Sequence, residues 1–427
     1  MVNTMRNAWK IPELRKKILF TLFVLLIFRL GNAVPVPFVN TEVLGTYLDT
    51  LGNTVLGLYN VMSGNAFSKC TIFALSIQPY INASIIIQLL TIAIPALERL
   101  SKEGGEEGRK KIMSITRYAT VIIGLLQGFG YYMLMKNSMG IITETGVWPA
   151  IVIIMTFMAG AALIMWLGEQ ISEFGIGNGI SMILFAGIIA RGPAELTSII
   201  SGMKAGYISV IGLIAIILAA LAIIVFIVFI TNAERRIPVQ YAKRVVGRKM
   251  YGGQSTHLPI KVNLSGVMPI IFAQTIASLP ATIAALCNPG EGTFWYKFLK
   301  VFDTTSVVYM VLYFLLIIAF SYFYATIQFN PIEISNNLKK NGGFIPGFRP
   351  GRPTSDFIHK VLNKITLFGA LYLGILAVIP IIVTRITGLT TLSLGGTSII
   401  IVVGVALETV QQMEAQMVMR NYKGFLE

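Results

Sequence analysis

Few residues in this chain stand where they could do covalent chemistry. The two histidines, His257 and His359, lie in separate stretches with no H-E-x-x-H spacing, so no helix turn offers a zinc ion paired imidazoles. The two cysteines, Cys70 and Cys287, cannot build a disulfide framework, and a free cysteine ordinarily behaves as a small buried hydrophobe. No G-x-x-x-x-G-K-[ST] is present to cradle nucleotide phosphates. The glycine-rich "GIGNGIS" at 175–181 follows an apolar run and lacks the lysine. No nucleophile–base pair stands out. The expectation is a protein that is not an enzyme, with no metal and no cofactor, driven by a partner or a gradient.

Charges inside apolar segments are the other pointers to chemistry, because each costs at least ~2.5–3.5 kcal/mol at the centre of a membrane helix. Here they are few. Arg29, Arg191 and Arg385 fall toward outer ends and Glu169 toward an inner end, where a long side chain reaches the interface. Glu408 is the deepest, and helix packing or pairing is its expected role. A proton-coupled transporter should show more such groups.

The elements that carry these residues are membrane spans. Of 427 residues, 55% are hydrophobic and 12% charged, with a mean hydropathy of +0.74; soluble domains usually carry about 25% charged residues. Apolar segments fall near 18–34, 72–95, 118–135, 148–168, 207–230, 265–286, 307–328, 365–384 and 396–413. A weaker one near 179–200 is broken by Arg191, Gly192 and Pro193. The basic start "MVNTMRNAWKIPELRKK" precedes the first of these without a small-residue cleavage site, so that segment reads as a retained span.

Charge decides the count. With ten spans and the N-terminus inside, about 26 of the 34 Lys and Arg fall on the inside, as the positive-inside rule requires. Omitting the weak span would place the basic loop 231–264 outside. Ten spans divide into an N-terminal half, 1–204, and a C-terminal half, 205–427, that begins on the opposite side. This is the geometry of inverted repeats with a working site between them near the midplane. Pro79, Pro95, Pro269, Pro280 and Pro380 fall inside spans, where neighbouring helices or a cavity must satisfy the freed backbone groups.

Two inside loops, 231–264 and 329–364, run to about 34 and 36 residues, far beyond the usual 2–8 between packed helices. A large partner is therefore expected on the inside. The first loop interleaves Arg235, Arg236, Lys243, Arg244, Arg248 and Lys249 with Tyr241 and Tyr251. That pattern suits nucleic-acid backbones and base stacking, and plain positive-inside anchoring explains it equally well. The second contains "GGFIPGFRPGRP", a turn-rich tip presenting Arg349 and Arg352. One further stretch, "GNTVLGLYNVMSGNAFSK" at 52–69, has the makings of a helix only half long enough to span.

At these residues the chain resembles the SecY family of protein-conducting channels along essentially its whole length. The resemblance is carried by "FALSIQPYINASIIIQLL" (73–90), "EGGEEGRKKI" (103–112), "WLGEQISEFGIGNGIS" (166–181) and "ERRIPVQYAKR" (234–244). "QSTHLPIKVN" (254–263), "GGFIPGFRPG" (342–351) and "GGTSIIIVVG" (395–404) extend it in the same order. It implies an all-α membrane protein of two inverted five-helix halves around an hourglass pore with a lateral opening to lipid. A passive channel would then pass unfolded secretory chains across the bacterial cytoplasmic (inner) membrane and release membrane segments sideways, with both termini cytoplasmic. A secondary transporter with inverted repeats is the alternative.

By the same resemblance the pore's waist is an apolar ring of Ile77, Ile81, Ile180, Leu184, Ile271 and Ile401. From the residues alone each reads as ordinary packing. Leu184 departs from the usual isoleucine, a swap that preserves a dewetted seal. Residues 52–68 would be the plug, with Val55, Leu56, Leu58, Tyr59, Val61 and Met62 on its helix, and Gly64 and Asn65 at a turn that asparagine tolerates. A helix lying on the outer interface is the other account of this stretch. The lateral gate would lie between the second and seventh spans, where Gln274, Thr275 and Ser278 give the seventh a polar face. Cys70 and Cys287 fall at the outer ends of those two spans and are expected to stay reduced, since a bond between them would tie the gate.

The family further implies docking of the SecA motor and of the ribosome, through its rRNA, on the basic loops. It implies SecE and SecG as partner subunits, signal peptides and nascent chains as cargo, and contact with lipid. The chain stops at "NYKGFLE", without the longer basic tail many relatives carry, so contacts made by that tail are not expected here.

Overall fold

The structure is a computed structural model that describes residues 2–50, 60, 63–102, 104–137, 140–144, 146–204, 209–241, 244–246, 249–251, 255–264, 266–287, 301, 306–387 and 390–423. Within them lie helices α1 (Val2–Lys10), α2 (Pro12–Gly31), α3 (Thr41–Thr50), α4 (Gln78–Ala93), α5 (Pro95–Lys102), α6 (Gly105–Asn137), α7 (Val147–Phe174), α8 (Gly179–Lys204) and α9 (Val210–Asn232). Strands β1 (Glu234–Tyr241), β2 (Arg244–Val246), β3 (Lys249–Tyr251) and β4 (Ser255–Lys261) follow. The chain then forms α10 (Met268–Cys287), α11 (Val307–Gln328), α12 (Pro331–Lys340), β5 (Gly343–Phe344), α13 (Arg352–Thr387) and α14 (Thr390–Lys423).

Ten of these helices have sixteen residues or more, and each coincides with one expected apolar segment. Six are long and apolar enough to cross a membrane by themselves, and a seventh if the bent pair α4–α5 counts as one. Helix α2 falls short because it carries Glu13, Arg15, Lys16, Lys17 and Arg29; among the described residues α8 and α10 are apolar over 179–194 and 268–280.

Local chemistry explains the ends. Ser209, Ser306 and Asn330 cap α9, α11 and α12 by accepting from backbone N–H groups two or three residues on. Pro12 and Pro331 stand in first turns, where the missing N–H costs nothing. Pro79 and Pro269 do likewise at α4 and α10, so neither breaks a span. Pro95 does: Ile94 ahead of it is extended, α4 stops, and the chain bends by 105° into α5.

Two expectations need correction. The second span does not begin at 72; residues 63–77 form a run of turns, and the helix starts only at Gln78. Cys70 therefore sits in that run and not at a helix end. Conversely, Arg191, Gly192 and Pro193 do not break the fifth span, since α8 runs through them to Lys204.

The two halves meet along two seams. On one side α8 packs on α14; on the other α10 touches α4 and α6. The largest apolar cluster lies between, drawing on α2, α4, α7, α8, α9, α10, α11, α13 and α14. Outside the helical body, β4, β1 and β5 form a three-stranded antiparallel sheet, with β1 and β4 in register from Glu234↔Lys261 to Gln240↔Ser255. The long loop 231–264 is thus a folded hairpin on an otherwise helical protein.

Candidate functional site

All six expected waist residues lie in the central cluster. Ile77, Ile81, Leu184, Ile271 and Ile401 are 0–2% exposed and Ile180 is half-buried. They come from four places: the end of the turn run and the first turn of α4, one turn of α8, the start of α10, and α14. Both halves contribute, and no side chain among the six offers a hydrogen bond. Close helix approach makes the convergence possible. A Cβ on Gly179 would collide with the Gly168 carbonyl oxygen, so only glycine lets α8 start against α7. The "GIGNGIS" glycines thus serve packing.

One side of this cluster opens into a cavity of about 510 Å³. Ile81, Ile180 and Ile271 stand at its apolar wall, while Ser84, Gln88, Asn178, Lys261, Glu408 and Gln411 give it a polar, charged lining. Glu408 is exposed onto this cavity, not packed deep among helices as its sequence position suggested, because α14 turns that face toward the space beside Lys261. The cavity lies on the side of the hairpin, the expected inside face.

On the other side the turn run is tied down. Asn65 has φ +68°, in the left-handed region that asparagine tolerates. At Gly64, φ is also +68°, and a Cβ there would stand 2.9 Å from the carbonyl oxygen of Gly187 on α8. Asn32 Nδ2 donates to the Ser63 carbonyl at 3.2 Å. Phe67 stacks on Tyr131 of α6 at 4.2 Å, and the Tyr131 hydroxyl donates to the Phe67 carbonyl. Cys70 is a free, fully buried thiol that meets the Met135 sulfur at 3.7 Å. Val55, Leu56, Leu58, Tyr59, Val61 and Met62 lie outside the described residues, as does the Cys287 side chain.

At the α10 seam, Gln274, Thr275 and Ser278 are 3–7% exposed. All three are thus buried, on a helix that touches α4 and α6. Among the described residues, Gln274 Oε1 and Asn82 Oδ1 of α4 are buried and accept no hydrogen bond, a cost of about 1–3 kcal/mol for each. Nearer the cavity, the Tyr324 hydroxyl of α11 donates to Gln88 Oε1 of α4 at 2.9 Å, a polar contact across the same seam.

The inside loops share one core, which reading them separately had missed. Ile237, Val239 and Ile260 of the hairpin pack with Leu338, Ile345, Ile358 and Leu362. Alternating burial of β1 was legible in "RIPVQ", but its partner strand and helix were not. Arg349 and Arg352 are exposed on the tip, as are Arg235 and Arg236 on β1. Arg236 pairs with Glu234 at 2.7 Å. Arg244 and Lys249 are described only as backbone of the β2–β3 pair, and Lys243 and Arg248 lie outside the described residues. Glu169 also has a partner that the sequence did not disclose: it binds Arg117 of α6 at 2.9 Å. Among the described residues no cluster of His, Cys, Asp and Glu could hold a metal.

Comparison with known proteins matches the family "SecY" over residues 71–410. The chain is 44% identical to the "Protein translocase subunit SecY" of Mycobacterium bovis, covering all of both chains. Among solved structures it matches one described as a protein conducting channel, with TM-score 0.68, 17% identity and 97% of each chain covered. It also matches Sec61 in the canine ribosome-channel complex from the endoplasmic reticulum, with TM-score 0.63, 17% identity and 97% of each chain covered. These structures agree with the fold described above.

Proposed function

The chain belongs to the SecY family. We propose, from that premise, that it is the channel subunit of a protein translocase, a passive pore through a membrane it crosses several times. One observation carries this: a polar inside cavity ends at Ile81, Ile180 and Ile271, which pack in one apolar cluster with Ile77, Leu184 and Ile401 from both halves. Extended chains of any sequence can pass such a ring, because it offers none of them a partner, while its apolar lining excludes water at rest. Residues 1–204 and 205–427 act as the two halves of the clamp. The α10 seam, with Gln274, Thr275 and Ser278, is where it parts toward lipid.

Residues 52–68 act as the plug. The ties at Ser63, Gly64 and Phe67 support this reading by fixing the stem from which that segment departs. The exposed arginines of the hairpin and tip form the dock for a cytosolic partner, the SecA motor or the ribosome. SecE and SecG are the companion subunits, and the membrane is the bacterial inner membrane with both termini inside.

The test is transport. The chain reconstituted in vesicles with SecE and SecG, supplied with SecA, ATP and an unfolded precursor, should protect that precursor from added protease. Gradient-driven uptake of a small solute, with no precursor protected, would replace the channel by the transporter.

A further inference from the structure

The base of the docking hairpin is held by one side chain of the last span. Gln411 of α14 uses both ends of its amide. Its Oε1 accepts from Lys261 Nζ at the end of β4, and its Nε2 donates to Asn232 Oδ1, two residues before β1, at 3.2 Å. The two feet are joined to each other by the Val262 N–H, which donates to the Ala233 carbonyl at 2.9 Å. The grip is therefore on the hairpin as a unit. Above the feet the hairpin is stiff, with β1 and β4 paired over their length and packed on α12 and α13 through a common apolar core.

Below the grip, α14 is one uninterrupted helix that carries Ile401 of the waist ten residues earlier, about 15 Å away along its axis. It packs on α8, which supplies Ile180 and Leu184. A rigid helix that carries a fixed handle and, about three turns away, a waist residue moves both together.

We propose that Gln411 is a positioning residue that couples the docking hairpin to the waist: a partner that tilts or presses the hairpin moves α14, and with it Ile401, through this clamp. The inference rests on the channel and docking reading above and adds to it the route by which docking reaches the seal. Both bonds are exposed, so their loss costs little stability. What they supply is a fixed relation between two bodies, and a coupling of this kind is worth about fivefold at its lower end.

The test separates binding from its consequence. The full chain with its companion subunits is reconstituted in vesicles, and SecA is the probe. For Gln411→Leu, SecA affinity should stay within about twofold of the parent, while precursor translocated per bound SecA falls about fivefold. Asn232→Leu should reproduce part of this loss. The double variant should lose no more than Gln411→Leu alone, since both changes break one clamp. Gln411→Glu keeps an acceptor for Lys261 and loses the donor to Asn232, so it should fall between.

Unchanged turnover in Gln411→Leu overturns the proposal. So does a loss of affinity that accounts for the whole loss of turnover, which would make Gln411 part of the dock. If the parent itself neither binds SecA nor translocates precursor, the docking reading fails and the coupling fails with it. If Gln411→Leu does not insert, Asn232→Leu and Gln411→Glu decide by the same two measurements.

Discussion

Ile271→Asn is expected to turn a quiet channel into a leaking one, with resting ion current at least about tenfold above the parent. Ile271 is 1% exposed and stands where the polar cavity ends. A dewetted constriction resists ions because its lining offers water nothing. An asparagine amide there would be a buried polar group without a partner, a cost of about 1–3 kcal/mol that a few entering waters relieve. Those waters are the leak. Ile271→Val is the control, because it removes one methylene, costs about 0.5–1.5 kcal/mol and keeps the lining apolar. It should stay quiet. Planar-bilayer recordings of the two variants with companion subunits present check this, and equal silence in both would show that Ile271 does not line the seal.

Arg349→Glu is expected to cut SecA-driven export at least about tenfold while leaving membrane insertion and subunit assembly intact. The tip that carries it is built to hold a shape. Gly347 and Gly351 turn with φ of +87° and +105°. The Ser335 hydroxyl donates to the Gly351 carbonyl at 2.7 Å, the Thr354 hydroxyl donates to the Arg349 carbonyl at 2.8 Å, and Phe348 stacks on Phe357 at 4.2 Å. None of these contacts uses the Arg349 side chain, which is exposed. Its replacement should therefore change stability by no more than about 0.5 kcal/mol. Reversing a charge opposite an acidic partner site costs several kcal/mol, so the defect should lie in docking. Export measured beside the yield of assembled complex separates the two, and normal export would remove Arg349 from the dock.

The helices were the most legible part of this protein, and the reason is physical. An apolar run of about 20 residues has no other way to satisfy its backbone in lipid, so the segment near 307–328 became α11 with the same limits. Proline was less transparent. Pro95 bends the chain, Pro79 and Pro269 merely start helices, and Pro193 sits inside one. The outcome depends on position within the turn and on neighbours not adjacent in sequence.

The proposed waist was invisible to periodicity, because a pore-lining isoleucine and a packed one carry the same side chain; only the resemblance singled out Ile77 and its companions. Tertiary pairings were equally hidden. Nothing near Glu169 in the chain announces Arg117, and nothing in "GGFIPGFRPG" announces that its strand pairs with Gln240 and Tyr241. Glu408 was misplaced because depth along a helix says little about which face meets a cavity.

The most direct test of a sealed pore is single-channel conductance in planar bilayers, comparing the intact chain with a deletion of residues 53–67, companion subunits present in both. A quiet parent and large, fluctuating currents in the deletion are the predicted result. That would establish an aqueous path closed in part by the segment that departs from the Ser63–Phe67 stem. Silence in both, with insertion confirmed, would contradict a pore held shut by this plug.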